Sequence, residues 1–232
     1  MSNDSQVNDS QVNDSQVNDT KYHVKRHDDR EVFDRDAVNA LLDSEYVAHV
    51  GFIDSDINEP FVIPMAYARD KDRILLHGST GSRLMMQLAK GAQMCVTVTK
   101  LNALVVAKSA FNSSMNYESV MIFGVGKRLE DAEKLEAMDR VTEALVPGMV
   151  GYARPTTAKE AAGTMIIELP IEKYSLKSRT GGVMDEPEDK DLPIWSGVLP
   201  LHRQYGEAET APDSAGISIP AHIQAIIGHS GR

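Results

Sequence analysis

The sequence predicts a mainly β protein with peripheral α-helices, folded as a closed or nearly closed antiparallel barrel of about seven strands with two or three helices. Three observations carry this prediction. Short segments rich in β-branched residues follow one another along the chain, separated by turn-forming residues. The segment 94–99 alternates strictly between larger apolar and small or polar side chains, which is the period of a strand. Two stretches with the character of helices interrupt the series of strands.

The predicted strands, in chain order, span 46–53, 61–69, 73–77, 94–99, 103–109, 119–129 and 164–176. A short link at 100–102 predicts that the fourth and fifth strands form a hairpin. Gly124 and Gly126 allow the long sixth strand to bend or to carry a bulge. In the last strand, alternate residues from Met165 to Ile171 are apolar and predict one buried face.

Three helices are predicted around these strands. The first is short, is capped by Asp34 or Asp36, and places apolar residues from Val38 to Leu42 on one face. The second spans 82–90 and ends at Gly91. The third spans 131–146, has an apolar stripe that includes Leu135 and Val141, and ends at a Pro-Gly pair.

The chain divides into three parts. Residues 1–22 contain the pentapeptide Asn-Asp-Ser-Gln-Val three times in succession, and one valine in five residues predicts a disordered tail. Residues 23–203 form the predicted barrel domain, including an apolar island around Trp195. Residues 204–232 are expected to be loosely ordered, although 219–227 could form a weak helix.

Bulk composition excludes several classes of function. A formal net charge of −10 argues against duplex DNA or an anionic membrane as a partner, because both need a basic face. No apolar run is long enough for a spanning helix, and no secretory signal is visible, so a cytoplasmic location is expected. The single cysteine, Cys95, excludes an internal disulfide. Among seven histidines only His23 and His27 are spaced i,i+4, so no metal site is predicted.

The segment from His77 to Arg83, His-Gly-Ser-Thr-Gly-Ser-Arg, leads from a strand into a helix and has the character of an anion site. Glycines permit close approach of backbone amides, hydroxyls donate hydrogen bonds, and Arg83 can grip a phosphate with two N–H groups. The alternative is an ordinary capped helix, in which Ser79 or Ser82 satisfies free amides. The segment is not a P-loop, because an arginine stands where a lysine is required.

Two neighbouring segments support a ligand site. The strand at 62–67 contains Pro64, which cannot donate to a sheet and marks an edge or irregularity where a flat ring could lie. The polar stretch at 112–119 would suit contacts to a ring edge or a polyol chain. Its alternative interpretation is a solvated loop of turn-forming residues.

Five motifs in order resemble the pyridoxamine 5′-phosphate oxidase-like family. They are Val-Ile-Pro-Met-Ala-Tyr at 62–67, the segment 76–83, Met-Cys-Val-Thr-Val-Thr at 94–99, Asn-Tyr-Glu-Ser-Val-Met at 116–121 and Trp-Ser-Gly-Val-Leu-Pro at 195–200. Within that family, the sequence resembles the flavin-nucleotide-binding branch that includes the nitroimidazole-resistance proteins. It implies an FMN-binding antiparallel split β-barrel, assembled as a homodimer with the cofactor at the interface.

The resemblance also implies a set of cofactor-binding residues, some of them contributed by the partner subunit. They are Ile63, Pro64, Met65, Tyr67, His77, Gly78, Ser79, Ser82, Arg83, Ser113, Asn116, Tyr117, Ser119 and Trp195. For Trp195, ordinary packing on the barrel is the alternative.

The expected function is that of an FMN-dependent oxidoreductase of a small molecule, with a nicotinamide donor as one option and no assigned catalytic side chain. Two alternatives stay open: a non-catalytic protein that binds or senses flavin or haem, with His77 as the haem ligand to test, and a reductase that uses the deazaflavin F420. The chain ends in Gly-His-Ser-Gly-Arg rather than in the Arg- and Pro-containing segment of true pyridoxamine 5′-phosphate oxidases. Oxidation of vitamin B6 itself is therefore not expected.

Overall fold

The computed structural model of the protein describes Tyr22 and residues 28–229. The repeats of the predicted tail, His23 and His27 lie outside these described residues. Within them the chain forms a ten-stranded antiparallel sheet with helices around it, and no helix there is long and apolar enough to cross a membrane.

The strands are short at the two ends of the sheet and long at its centre. In chain order they are β1 (Glu31–Val32), β2 (Val47–Asp54), β3 (Glu59–Asp70), β4 (Arg73–Ser79), β5 (Gln93–Val106), β6 (Ser114–Val125), β7 (Lys127–Arg128), β8 (Thr164–Pro170), β9 (Lys173–Arg179) and β10 (Gly197–Pro200). The α-helices are α1 (Arg35–Ser44), α2 (Arg83–Ala89), α3 (Asp131–Leu145), α4 (Ala158–Gly163) and α5 (Ala221–Gln224).

The sheet curls into a split barrel. Its strand order is β1-β9-β6-β5-β2-β3-β4-β8-β7, and β10 pairs with β5 outside this path. Only Gly126 separates the end of β6 from the start of β7, so the chain itself joins the inner strand β6 to the far edge of the sheet. A Cβ at Gly126 would lie 2.4 Å from Cγ2 of Ile167, so this crossing requires glycine.

The core follows the alternation of the strands. Fully buried apolar side chains such as Val50, Leu76 and Val96 fill the barrel interior, and the predicted apolar face from Met165 to Ile171 lies among them. A second cluster lies under α3, where Leu75 and Ile166 on the outer side of the sheet pack with Ala137, Val141 and their neighbours.

Two predicted boundaries are wrong. The predicted hairpin at 94–109 is one continuous strand, β5, and the polar link at 100–102 is a bulge, with the register against β6 shifting between Leu101 and Ala103. The predicted strand at 164–176 is two strands in different parts of the sheet, β8 and β9. The chain leaves β8 after Pro170, and the backbone N–H of Ile171 then donates to the carbonyl of Asp72, 2.8 Å away.

Other segments contain more regular structure than predicted. Most of the polar stretch at 112–119 belongs to β6, and the Trp195 island continues into β10, which pairs with β5 from Ala103 to Val106. After β10, Arg203 donates to Glu45 at 2.7 Å, and Tyr205 exchanges backbone hydrogen bonds with Gly228 and His229. The stretch at 219–227 contains α5, a single turn.

Candidate functional site

The candidate site lies where the barrel splits. β3 pairs with β4 only from Tyr67 to Asp70, although both strands continue beyond this pairing. The first part of β3 stays with β2, whereas the end of β4 stays with β8. The two strands therefore diverge, and the segment that follows β4 enters α2 at this opening.

The alternation of β3 decides which predicted residues face the opening. Phe61, Ile63 and Met65 pack against the barrel core, and Tyr67 is fully buried, with its hydroxyl donating to the carbonyl of Leu42 at 2.6 Å. The side chains of these residues thus point into the barrel, so Ile63, Met65 and Tyr67 contribute backbone atoms to the outer surface. Pro64, with the opposite orientation, is exposed there.

The segment from His77 to Arg83, called the cradle below, is partly engaged in hydrogen bonds of its own. The hydroxyl oxygen of Ser79 accepts from the N–H of Gly81 at 3.2 Å, and the N–H of Thr80 donates to the carbonyl of Gly163 at 3.0 Å. Ser82 is the N-cap residue of α2, but its side chain makes no capping hydrogen bond. Ser79 therefore satisfies one amide, as the alternative of a capped helix expected, whereas the Ser82 hydroxyl makes no such bond within the described residues and can bind a ligand.

Gly78 has a packing role at this site. A Cβ placed on it would lie 2.7 Å from Cγ of Met85, a buried residue of α2. The absence of a side chain lets α2 approach β4 closely. Gly78 therefore fixes the position of the helix that carries Arg83.

Arg83 is the basic group of the cradle, and its side chain is 60% exposed. Its guanidinium carbon lies 5.4 Å from the centre of the Phe61 ring, and its Nε lies 3.7 Å from Oδ2 of Asp54. The Asp54 side chain is only 3% exposed. An exposed guanidinium held from one side is suited to bind an anion from the other.

His77, the first residue of the cradle, lies on the outer side of β4, since its neighbour Leu76 faces the barrel core. Its Nδ1 is buried and has no hydrogen-bond partner within the described part of the chain. Burial lowers the pKa of His77 below its usual value, so the neutral imidazole is favoured.

The predicted residues of β6 lie elsewhere in the same chain. β2 and β5 separate β6 from β3, which places Ser119 about 14 Å from β3 at the usual strand spacing. The Ser119 hydroxyl is 2.8 Å from that of Thr99, and Tyr117 is partly buried on the same outer face. These residues do not meet the cradle within one chain.

Three further predicted residues are also away from the cradle. The Asn116 amide donates to the carbonyl of Gly181 at 2.9 Å and accepts from Arg179 at 2.6 Å, so it already ties β6 to the chain after β9. The Ser113 hydroxyl accepts from the N–H of Ala107 within its own loop. Trp195, 63% exposed, precedes β10 beside the far half of β5.

Sequence reasoning missed the support beneath Arg83. Gln87, a buried residue of α2, donates to Asp54 at 3.1 Å and accepts from the hydroxyl of Ser55 at 2.7 Å. The turn between β2 and β3 is thereby tied to α2. The only signal for this was the polar Gln87 on the apolar side of a predicted helix.

Metal ligation has no support in the described residues, where no group of three or more histidine, cysteine or acidic side chains converges.

Comparison with known proteins assigns the family. Residues 34–178 match the family model described as pyridoxamine 5′-phosphate oxidase. No match was found among proteins with curated descriptions.

Two solved structures are similar over most of this chain. One is the FAD and heme binding protein from Mycobacterium smegmatis, with 36% identity, a TM-score of 0.82, and coverage of 86% of this chain and 98% of that one. The other is the flavocytochrome Anf3 from Azotobacter vinelandii, with 36% identity, a TM-score of 0.83, and coverage of 90% and 97%.

A third structure shares the fold at lower similarity. It is assigned as a 5-nitroimidazole antibiotic resistance protein from Bacteroides thetaiotaomicron, with 20% identity, a TM-score of 0.51, and coverage of 63% of this chain and 85% of that one. The family model, the two structures at 36% identity and the split sheet agree. This chain belongs to the pyridoxamine 5′-phosphate oxidase family.

Proposed function

We propose that this chain is a flavin-binding protein that holds the phosphate of FMN or FAD with Ser79, Ser82 and Arg83. Two features of the segment that enters α2 at the opening between β3 and β4 carry the proposal: an exposed Arg83 guanidinium and a Ser82 hydroxyl that does not cap its helix. Charge-assisted hydrogen bonds from such a pair are suited to a phosphate dianion. The outer side of β3 around Pro64 offers the adjacent surface for the flavin ring.

The similar structures support a flavin rather than another phosphate ligand. One of the two structures at 36% identity is named an FAD and heme binding protein and the other a flavocytochrome. Sequence resemblance favoured FMN, and both flavins carry the phosphate next to the ribityl chain that the cradle would bind.

The flavin would supply hydride or electron transfer, and the chain would bind and orient it. We infer an oxidoreductase acting on a small molecule, with a nicotinamide as the donor. Anaerobic mixing of the flavin-loaded protein with NADH or NADPH tests this activity. Rapid bleaching of the flavin absorbance by one of the two donors supports the activity. A spectrum that neither donor changes contradicts it.

The binding proposal is tested on purified protein. We expect flavin absorbance bands, and mass spectrometry of the extracted cofactor separates FMN, FAD and F420. Arg83→Ala should lose the flavin because the principal phosphate contact is removed. Arg154→Ala is the matched control, since Arg154 is an equally exposed arginine paired with Glu160 on α4. If Arg83→Ala keeps the flavin as tightly as the control does, the assignment of the phosphate grip is wrong.

Haem is a second candidate ligand, favoured by the names of the two similar structures and by His77. Nδ1 of His77 is buried with no partner among the described residues, and its lowered pKa keeps the imidazole neutral, the form that ligates iron. Titration with hemin should give a ligated haem spectrum, and His77→Ala should change it. A spectrum that is identical in the variant excludes His77 as the ligand.

We also propose that the protein is a homodimer with the cofactor at the interface. The outer face of β3, β2, β5 and β6 exposes apolar side chains, which include Val47, Val62, Leu101 and Met121. An exposed apolar face of this kind is typical of an interface. A second copy packed on this face would also bring Tyr117, Ser119 or Trp195 towards the cradle, which one chain does not do.

A further inference from the structure

Asp54 is an unusual neighbour for a phosphate site. Its carboxylate is buried at the end of β2, and Oδ1 accepts from the backbone N–H of Asp56 at 2.9 Å and from Nε2 of Gln87 at 3.1 Å. Both donors bind the same oxygen, and the other carboxylate oxygen, Oδ2, lies 3.7 Å from Nε of Arg83. These two hydrogen bonds to Oδ1 fix the position and the orientation of the Asp54 carboxylate.

Arg83 meets this carboxylate with Nε, the inner nitrogen of its guanidinium, and lies over the ring of Phe61. Among the described residues, no hydrogen bond or ion pair engages its two terminal nitrogens. A guanidinium held at Nε and on one face keeps its outer nitrogens in a defined direction. Those nitrogens are the ones that bind two phosphate oxygens at once.

We infer that Asp54, held in place by Gln87, is a positioning residue that orients Arg83 for the flavin phosphate. The inference rests on the proposed flavin site and adds the support on which the phosphate grip depends. Asp54 itself does not touch the ligand. Its effect is to reduce the rotamer freedom that a long exposed side chain would otherwise lose on binding.

The charge of Asp54 also has an effect on the phosphate itself. A carboxylate close to a phosphate dianion repels it, so an Asp54 without a positioning role would weaken flavin binding. Removing its charge would then tighten the complex. The sign of the change in affinity therefore distinguishes positioning from simple repulsion.

The experiment measures the dissociation constants of FMN, FAD and riboflavin for the full chain and for Asp54→Asn. Asparagine keeps an acceptor oxygen for Gln87 and Asp56, so the turn is preserved. We expect the variant to bind FMN and FAD about fivefold more weakly, the scale of one partly exposed ion pair. Riboflavin has no phosphate, and its affinity should be unchanged. Asp43→Asn is the control for net charge, since Asp43 also pairs with an arginine, Arg69.

A double-mutant cycle with Arg83→Lys gives the second measurement. Lysine has neither Nε nor a fork, so Asp54→Asn should change FMN affinity little in that background. Tighter or equal FMN binding by Asp54→Asn alone, or an equal loss of riboflavin, would overturn the inference. If the unaltered protein binds FMN no better than riboflavin, the phosphate grip of the proposed function fails instead.

Discussion

Single residues at the cradle act through contacts that can be tested individually. Gly78→Ala places a methyl group 2.7 Å from Met85, so α2 or the Met85 side chain has to shift. Overpacking of this kind costs about 1–3 kcal/mol of unfolding free energy. Gly81→Ala is the matched control, since the nearest atom would be 3.8 Å away and its φ is not in the left-handed region. Urea denaturation of both variants measures the difference, and equal stabilities would contradict the packing role of Gly78.

His77 gives a pH-dependent contribution to stability. Its pKa in the folded chain lies below its ordinary value of 6.5 because burial disfavours the charged ring. Below pH 6.5 the unfolded chain therefore binds more protons at this site than the folded chain does. The contribution is complete above that value and is lost as the pH falls towards the folded-state pKa.

The measurement compares the unfolding free energies of the protein and of His77→Asn between neutral and mildly acidic pH. We expect the protein to lose stability on acidification more steeply than the variant does. His202→Asn, at an exposed histidine, should keep the steep profile. Identical slopes for all three proteins would show that His77 does not titrate as inferred.

At the scale of elements, Arg73 joins β4 to three others. It donates to Glu168 of β8 at 2.6 Å, to Glu133 of α3 at 2.8 Å and to Asp70 at 3.0 Å, and its own side chain is 28% exposed. These carboxylates raise the pKa of Arg73, so it stays charged, and Arg73 in turn lowers the pKa of Glu133. α3 is thereby held across the outer side of the sheet.

Arg73→Leu should therefore cost about 2–3 kcal/mol, because the largely buried carboxylates of Asp70 and Glu168 lose a charged donor. Arg154→Leu breaks a bidentate but exposed pair with Glu160 and should cost much less. Thermal and urea unfolding of both variants test the contrast. Equal losses would mean that Arg73 contributes no more than a surface ion pair.

For the molecule as a whole, the proposed dimer depends on the apolar outer face of β3, β2, β5 and β6. Val62 on β3 is 66% exposed, and Val62→Glu would place a charge in the proposed subunit interface. We expect the variant to sediment as a monomer at concentrations where the protein is a dimer, and to bind flavin more weakly. Leu135→Glu, at a similarly exposed leucine of α3, should leave both properties unchanged. A flavin-loaded monomer of the unaltered protein would refute the dimer.

Local patterns predicted most elements but not their connections. Alternation at 94–99 and 164–171 identified buried faces correctly, because side-chain period is a local property of a strand. The bulge after Leu101 and the break after Pro170 were missed. Both depend on which distant strands pair, and the polar residues at these places resemble those of an ordinary turn.

In the candidate site, too, the contiguous residues were predicted and the contacts between distant residues were not. The sequence predicted the cradle from His77 to Arg83 because its residues are contiguous and of a recognisable chemical type. It did not predict Asp54, Phe61 or Gln87 around Arg83, since these come from three different elements. It also predicted that the ring lies along β3 at Ile63, Met65 and Tyr67, but it could not tell that the side chains of these residues point inwards.

Composition, alternation and motif order are properties of neighbouring residues, so the sequence was sufficient to predict the family and the mainly β fold, and it also indicated a phosphate-binding segment. The place where the barrel splits, the face of β3 that meets the opening and the carboxylate next to Arg83 became visible only in the folded chain. Those features arise from pairings between strands far apart in the chain, where a shift of one residue reverses every side chain.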